Sequence, residues 1–119
     1  MRLKITAGNV TLHVELLQTH TARALLAAVP FESRAQTWGE EVYFSTPVSV
    51  PLEKDARQVV EPGTACFWTE GNAIALPFGR TPISTDERPK LASRCNVIGS
   101  VSGMLSSIRS GDRIKVEAA

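Results

Sequence analysis

Apolar and polar residues alternate along most of this chain, in short runs that end at glycine, proline or asparagine. Residues 2–6 and 10–16 alternate in this way around the turn Ala7-Gly8-Asn9, which predicts two strands joined as a hairpin. The same pattern predicts strands on both sides of Gly39, and further strands over residues 64–69, 73–78, 96–101 and 113–117. Val59 and Val60 add a short strand or a turn.

Two segments depart from this alternation and predict helices. In residues 19–30, Ala22, Leu25, Leu26 and Val29 follow helical spacing, so we expect one helix of eight to ten residues that a threonine caps and Pro30 stops. Residues 103–111 predict a second, shorter helix that contains Met104, Leu105 and Ile108 and ends at a glycine.

The order of these elements predicts the class of fold. Strands and helices do not alternate as they do in parallel sheets. Many short strands with frequent turns favour an antiparallel barrel or sandwich. With 119 residues, the chain has the length of one domain, residues 1–119, and is long enough to bury a substantial core.

Charge and hydropathy exclude several classes of partner. The net charge is +1, and no basic stripe with interleaved aromatic residues is present, so nucleic acid is not an expected partner. The N-terminus lacks the apolar segment of a signal peptide, and no run approaches the ~18 apolar residues of a membrane helix. We therefore expect a cytoplasmic protein without a membrane partner, whether monomer or homo-oligomer.

The residues that usually hold metals or catalyse nucleophilic reactions are few. Cys66 and Cys95 lie in apolar runs and are predicted to be buried free thiols. His13 falls on the polar side of a strand and His20 near the start of the first helix. Neither histidine belongs to a metal-ligand spacing or a catalytic triad, so we predict no metal and no cofactor.

The segment from Trp38 to Pro47 is the most distinctive in the sequence. Glu40 and Glu41 could form an acid–base pair, but consecutive residues of a strand point to opposite faces. Unless a bulge at Gly39 changes that geometry, we expect one glutamate to be solvated and the other to bind an arginine or a backbone amide. Tyr43 shares its face of the strand with Glu41.

Several local motifs follow one another in a characteristic order. They are Pro30-Phe31-Glu32-Ser33, Thr37-Trp38-Gly39-Glu40-Glu41-Val42-Tyr43-Phe44-Ser45-Thr46-Pro47, Val59-Val60-Glu61-Pro62-Gly63, Phe78-Gly79-Arg80-Thr81-Pro82 and Asn96-Val97-Ile98-Gly99. Over nearly the whole chain they resemble the small bacterial and archaeal proteins of cyclophilin-like fold, a family of uncharacterised function. The resemblance implies a mainly β fold: a closed, eight-stranded antiparallel barrel with two short helices that cap its ends.

A more distant similarity connects the chain to the true cyclophilins, which are peptidyl-prolyl isomerases. Residues 97–103 resemble the run that precedes the last helix of those enzymes. The isomerase motif Phe-His-Arg-x-x-Pro is not intact, because Ser33 takes the arginine's place and Arg34 lies one residue later. The position of the isomerase pocket histidine falls near Cys95. No catalytic residue is therefore assigned.

Small barrels fill their interior with side chains, so we expect a binding site on the outer wall. The candidate cleft combines the outward face of the Trp38–Pro47 strand with residues that the resemblance brings near it. It comprises Arg34, Trp38, Glu41, Tyr43, Trp68, Phe78 and Arg80. Aromatic residues beside an arginine suit a peptide or a small anionic or planar ligand. We predict a binding module for a peptide or small molecule, or alternatively a divergent peptidyl-prolyl isomerase.

Overall fold

The N-terminal hairpin forms where the alternating pattern predicts it. In the structure, a computed structural model that describes residues 1–119, strands β1 (Arg2–Ala7) and β2 (Val10–Leu16) pair antiparallel. Ala7 lies opposite Val10, so the turn has two residues, and Gly8 adopts the positive φ of +56° that such a turn favours. The apolar positions of both strands face the core.

The first helix is also confirmed. Helix α1 (His20–Ala28) has nine residues, and the side chain of Thr19 caps it by accepting a hydrogen bond from Ala22 N at 3.1 Å. Leu25 is fully buried, and the chain leaves the helix at Val29, before the proline that cannot continue it.

Eight further strands follow, and all strand pairs are antiparallel. They are β3 (Phe31–Arg34), β4 (Gln36–Thr37), β5 (Glu41–Ser45), β6 (Arg57–Val59), β7 (Thr64–Trp68), β8 (Ala73–Pro77), β9 (Lys90–Ser102) and β10 (Arg113–Ala118). Strand β9 has 13 residues and begins well before the predicted strand at 96–101. None of the helices is long or apolar enough to span a membrane.

The strands form one curved sheet in the order β3-β10-β1-β2-β9-β7-β8-β5-β4, with β6 paired to β9. The fold is mainly β, but closure and the count of eight strands are not confirmed, because the sheet has ten strands and ends at β3 and β4. One of the additional strands arises because the strand predicted before Gly39 is interrupted at Ala35. It is buried, and its N–H and carbonyl bond to Asp112 and Gly111, so the predicted strand over 31–37 divides into two short strands. Between the two ends, the hydroxyls of Ser33 and Ser45 lie 3.3 Å apart.

The second predicted helix is not confirmed. Residues Leu105–Ser107 form a single turn of 3-10 helix. Leu105 and Ile108 are buried, but Met104 is 65% exposed, so the segment has too little apolar surface to offset the cost of nucleating an α-helix.

The apolar side chains form two clusters on opposite faces of the sheet. The main core has 21 buried residues inside the curve of the sheet, among them Phe44 and Phe67. A small cluster lies on the outer face of β7, β8 and β9 and contains Val60, Cys66, Ala75, Leu91 and Cys95. We call it the outer cluster. Strand β8 is therefore buried on both faces.

A buried polar network attaches the segment after β5 to the rest of the fold. Asn96 is fully buried, and its Oδ1 accepts a hydrogen bond from Glu53 N at 2.7 Å. Its Nδ2 donates to Thr21 Oγ1 at 2.9 Å and to Pro51 O at 3.1 Å. One amide thus connects β9, helix α1 and residues 46–56.

Candidate functional site

The outer face of β5 continues into the outer cluster. Val42 and Phe44 point into the main core, so strand alternation turns Glu41 and Tyr43 outward. The register brings neighbouring strands into line with them. Tyr43 pairs with Ala75 of β8, and Ala75 pairs with Cys66 of β7. These side chains form a row across the outer wall.

This row borders a cavity of about 270 Å³. All but one of its lining residues are apolar or aromatic, and the exception is Glu41. The lining residues are Trp38, Glu41, Tyr43, Trp68, Ala75, Leu91, Ala92 and Cys95. The outer cluster forms part of the cavity wall, so the site is built on the sheet rather than on loops.

The turn before β5 positions Trp38. The backbone N–H of Trp38 donates to Glu41 O at 3.0 Å, and Gly39 adopts a φ of +59°. A Cβ at Gly39 would lie 2.8 Å from Pro82 Cδ and 2.9 Å from Arg80 O, so only glycine fits there. The turn is further held by Glu40 N, which donates to Arg80 O at 2.8 Å.

Two aromatic walls of the cavity are oriented by their polar ends. Trp68 Nε1 donates to Ser93 Oγ at 2.8 Å, and Tyr43 Oη donates to Gln36 Oε1 at 3.0 Å. Because these polar atoms are already paired within the protein, the aromatic rings contribute apolar surface to the cavity.

Glu41 is the only ionisable carboxyl in the cavity wall. Its exposed fraction is 6%, and its Oε1 is buried without any hydrogen-bond partner. Burial removes water from the carboxylate and raises the pKa of Glu41 from 4.5 to about 7. At neutral pH, this carboxyl therefore exists in comparable amounts as an acid and as an unpaired carboxylate.

Both cysteines are free and buried, as predicted. Burial, and then the neighbouring charge of Glu41, raises the pKa of the Cys95 thiol to about 12. Burial also raises the pKa of Cys66, with smaller effects from Cys95 and Glu41. Both side chains are thus neutral thiols at physiological pH. No three His, Cys, Asp or Glu side chains come together in a way that would hold a metal ion.

Comparison with known proteins shows which family has this architecture. The family model described as "Cyclophilin-like" matches residues 1–117. The chain belongs to the cyclophilin-like family. Its fold is similar to that of the hypothetical protein AF2241 from Archaeoglobus fulgidus, solved in solution. That protein is 40% identical, with a TM-score of 0.87 over 100% of this chain and 95% of AF2241.

A second, more distant structure shares the fold alone. McbB, solved in complex with tryptophan, is 12% identical, with a TM-score of 0.68 over 97% of this chain and 44% of McbB. A search of curated proteins gives no match.

Four of the seven predicted cleft residues of this cyclophilin-like chain meet at the cavity: Trp38, Glu41, Tyr43 and Trp68. The other three do not. Phe78 lies beyond the end of β8, on the side of the main core, against which it packs.

The two predicted arginines also lie outside the cavity. Arg34 donates to Gly111 O at 3.1 Å and lines a separate polar depression. Arg80 contacts Glu87 Oε1 and Ser84 O within its own loop, each at 3.4 Å. The expected pairing of aromatic residues with an arginine is therefore wrong for this cavity, whose charged group is a carboxyl.

The adjacent glutamates behave differently from each other, because Glu41 begins β5 whereas Glu40 lies in the turn before it. Glu40 Oε1 accepts a hydrogen bond from Arg80 N at 3.3 Å, so the expected contact with a backbone amide is confirmed. The expectation that the other glutamate is solvated is wrong, because Glu41 is buried in the cavity wall.

Sequence reasoning missed four lining residues: Ala75, Leu91, Ala92 and Cys95. Leu91 and Ala92 lie in the first half of β9, ahead of the strand predicted over residues 96–101. One signal was available at Ala75, because a small residue among larger ones in a buried strand leaves space on one face of a sheet.

Proposed function

We propose that this cyclophilin-like chain binds a small molecule, or one side chain of a peptide, in the cavity beside Glu41. Small-molecule sites are concave and mostly apolar and carry a few polar groups that fix orientation. The cavity has this character, and its volume of about 270 Å³ lies just below the usual range of roughly 300–1,000 Å³. A compact ligand with one ring fits this volume better than an extended peptide.

The unpartnered carboxyl of Glu41 is the observation that carries the proposal. Buried polar groups in folded proteins almost always have a partner, and an unsatisfied one costs about 1–3 kcal/mol. Glu41 Oε1 lacks a partner, and Glu41 supplies the one carboxyl in the wall of a cavity that is otherwise apolar. A ligand that supplies the missing hydrogen bond would recover this free energy on binding.

A fragment screen read out by tryptophan fluorescence and thermal shift tests the proposal, because Trp38 and Trp68 line the cavity. Tryptophan, the molecule bound in McbB, belongs in the screen. Ala92→Leu narrows the cavity, whereas Ala27→Leu adds the same side chain to an exposed position of helix α1.

We expect fragments that bind the natural protein and the Ala27→Leu variant but bind the Ala92→Leu variant at least tenfold more weakly. If no fragment binds, or if Ala92→Leu leaves the affinity of every fragment unchanged, the cavity is not the binding site.

A divergent peptidyl-prolyl isomerase is the second candidate, favoured by membership of the cyclophilin-like family. Such an enzyme needs an electrostatic group beside the twisted imide. Arg34 and Arg80 would be the candidates, but both bond elsewhere, so we place this activity second. A cytoplasmic location and a homo-oligomeric state remain predictions, which cell fractionation and light scattering would test.

A further inference from the structure

We infer that the ligand of this cavity carries a protonated amine, whose N–H group donates to Glu41 while the aromatic side chains enclose its apolar body. This inference rests on the proposed function and names the chemical class of the ligand. The amine can belong to a free metabolite or to a lysine side chain, and the chemistry of recognition is the same for both.

The distribution of charge around the cavity supports a cation. Its lining includes one carboxyl and no lysine, arginine or histidine. Of the arginines closest to it along the sheet, Arg57 lies opposite Cys95 on β6 and lines a separate depression, and two others are bonded elsewhere. Arg94, which follows the lining residue Ala92 on β9, donates to Ala56 O, and Arg80 contacts Glu87. An ionised Glu41 thus has no counter-ion from the protein, and a ligand cation would supply it.

The aromatic side chains favour the same class of ligand. Trp38, Tyr43 and Trp68 line the same cavity as the carboxyl, and the faces of such rings attract cations by roughly 0.5–2 kcal/mol. Trp68 Nε1 and Tyr43 Oη already donate to Ser93 and Gln36. The polar donors of these two rings are therefore already used within the protein and are not free to bind an anion.

The thiols near Glu41 do not change this charge balance. The ionisable groups on the same face are Tyr43 on β5, Cys66 on β7, Cys95 on β9 and Arg57, which β6 places opposite Cys95. Glu70 acts on Cys95 from the turn after β7. Burial keeps both thiols protonated near neutral pH. Ionisation of Glu41 is then the event that prepares the cavity for an amine.

This coupling has a measurable sign. An ammonium ion binds the carboxylate and not the acid, so binding displaces the proton from the fraction of Glu41 that carries one. With a pKa of about 7, the ionised fraction rises about tenfold between roughly pH 6 and pH 8. The affinity for the amine should rise by about the same factor.

Four probes of matched shape test the inference by calorimetric titration: phenethylamine, its trimethylammonium analogue, phenethyl alcohol and hydrocinnamate. We expect phenethylamine to bind at least tenfold more tightly than the alcohol and the carboxylate, and more tightly than the quaternary cation, which has no N–H group to donate. A further titration uses lysine capped as its acetyl and methylamide derivative, with the equivalent norleucine compound as the control. Comparison of this capped lysine with phenethylamine distinguishes a lysine side chain from a free amine as the ligand.

Two variants assign the effect to one carboxyl. Glu41→Gln removes the charge with little change in shape, and Glu40→Gln does the same at the adjacent residue outside the cavity. We expect Glu41→Gln to weaken phenethylamine at least tenfold at about pH 8 and to abolish the pH dependence, and Glu40→Gln to change neither.

Three results would contradict the inference of an amine ligand. If the alcohol or the carboxylate binds best, with an affinity that falls as the pH rises and that survives in Glu41→Gln, then Glu41 is a neutral donor. The amine inference would then be wrong, although the cavity would still bind a ligand. Equal affinity for the quaternary cation would overturn the hydrogen bond to Glu41. If none of the probes and none of the fragments binds, both the inference and the proposed function fail.

Discussion

The burial of Glu41 predicts that the protein loses stability as the pH rises through the neutral range. The folded protein holds the proton of this carboxyl up to a pKa of about 7, whereas the unfolded chain releases it near 4.5. Between these two values, the folded state binds more protons than the unfolded state. The free energy of unfolding must therefore fall as the pH rises from about 4.5 to about 7, and this contribution is fully lost above the folded pKa.

The magnitude follows from the difference between the two pKa values. Each pKa unit corresponds to about 1.4 kcal/mol, so a rise from 4.5 to about 7 corresponds to roughly 3 kcal/mol. Glu41 is only 6% exposed, so little of this is lost to screening by water. Glu41→Gln cannot ionise. Because about pH 5 already lies above the unfolded pKa of 4.5, the interval from about pH 5 to about pH 8 covers roughly 2.5 kcal/mol of this, and Glu41→Gln should gain that amount relative to the natural protein.

Urea unfolding of the variant and of the natural protein, followed by tryptophan fluorescence at about pH 5 and at about pH 8, gives the stability difference between the two proteins at each pH. The change in that difference between the two pH values is the predicted quantity. The cost of burying an unpaired amide is common to both pH values and cancels. Glu40→Gln is the matched control, because Glu40 lies outside the cavity and bonds to Arg80 N. If Glu41→Gln changes stability equally at both pH values, then Glu41 is not a desolvated carboxyl without a partner, and the proposed ligand site loses the observation that supports it.

Three further predictions concern other parts of the molecule. Asn96→Ala should lower the free energy of unfolding by about 2–4 kcal/mol, because it leaves several buried backbone and hydroxyl groups without partners, and urea unfolding measures the loss. Cys66 and Cys95 should react with a thiol reagent at about pH 8 at least a hundredfold more slowly in the folded protein than in the urea-unfolded chain, because burial raises their pKa values; rapid labelling of the native protein would contradict this. Arg34→Ala and Arg80→Ala should leave cavity binding unchanged; a protease-coupled proline-peptide assay would assign a catalytic role if either variant lowers a measurable isomerase rate.

The alternating pattern predicts the hairpin, helix α1 and most of the strands, because each of these depends on residues close together in the chain. The cap at Thr19 and the stop at Pro30 are local signals of the same kind. The division of residues 31–37 into two strands was not predictable in this way, because it depends on hydrogen bonds from Ala35 to residues 111 and 112. The missing second helix depends on how little of residues 104–108 the core covers.

The candidate site likewise has some features that nearby residues predict and others that depend on contacts between distant parts of the chain. Strand parity placed Glu41 and Tyr43 on one face, because side-chain direction follows from the backbone of a single strand. Glu40 is separated from Glu41 by its place in the turn before β5. Leu91, Ala92 and Cys95 reach the cavity from a strand some 50 residues further along the chain, and only the pairing of β9 with β7 brings them there. The positions of the two arginines likewise depend on loop contacts.

Residues close together in the chain therefore suffice for the hairpin, helix α1, most of the strands and the family resemblance, and for the face on which Glu41 and Tyr43 lie. Only the packing of distant strands makes Glu41 a buried carboxyl without a partner, in a cavity wall that contains aromatic residues and no arginine. The physical reason is that desolvation is a property of a site. The pKa of a carboxyl and the charge of the ligand it can hold depend on everything packed around it, and in this protein those neighbours come from β5, β7, β8 and β9.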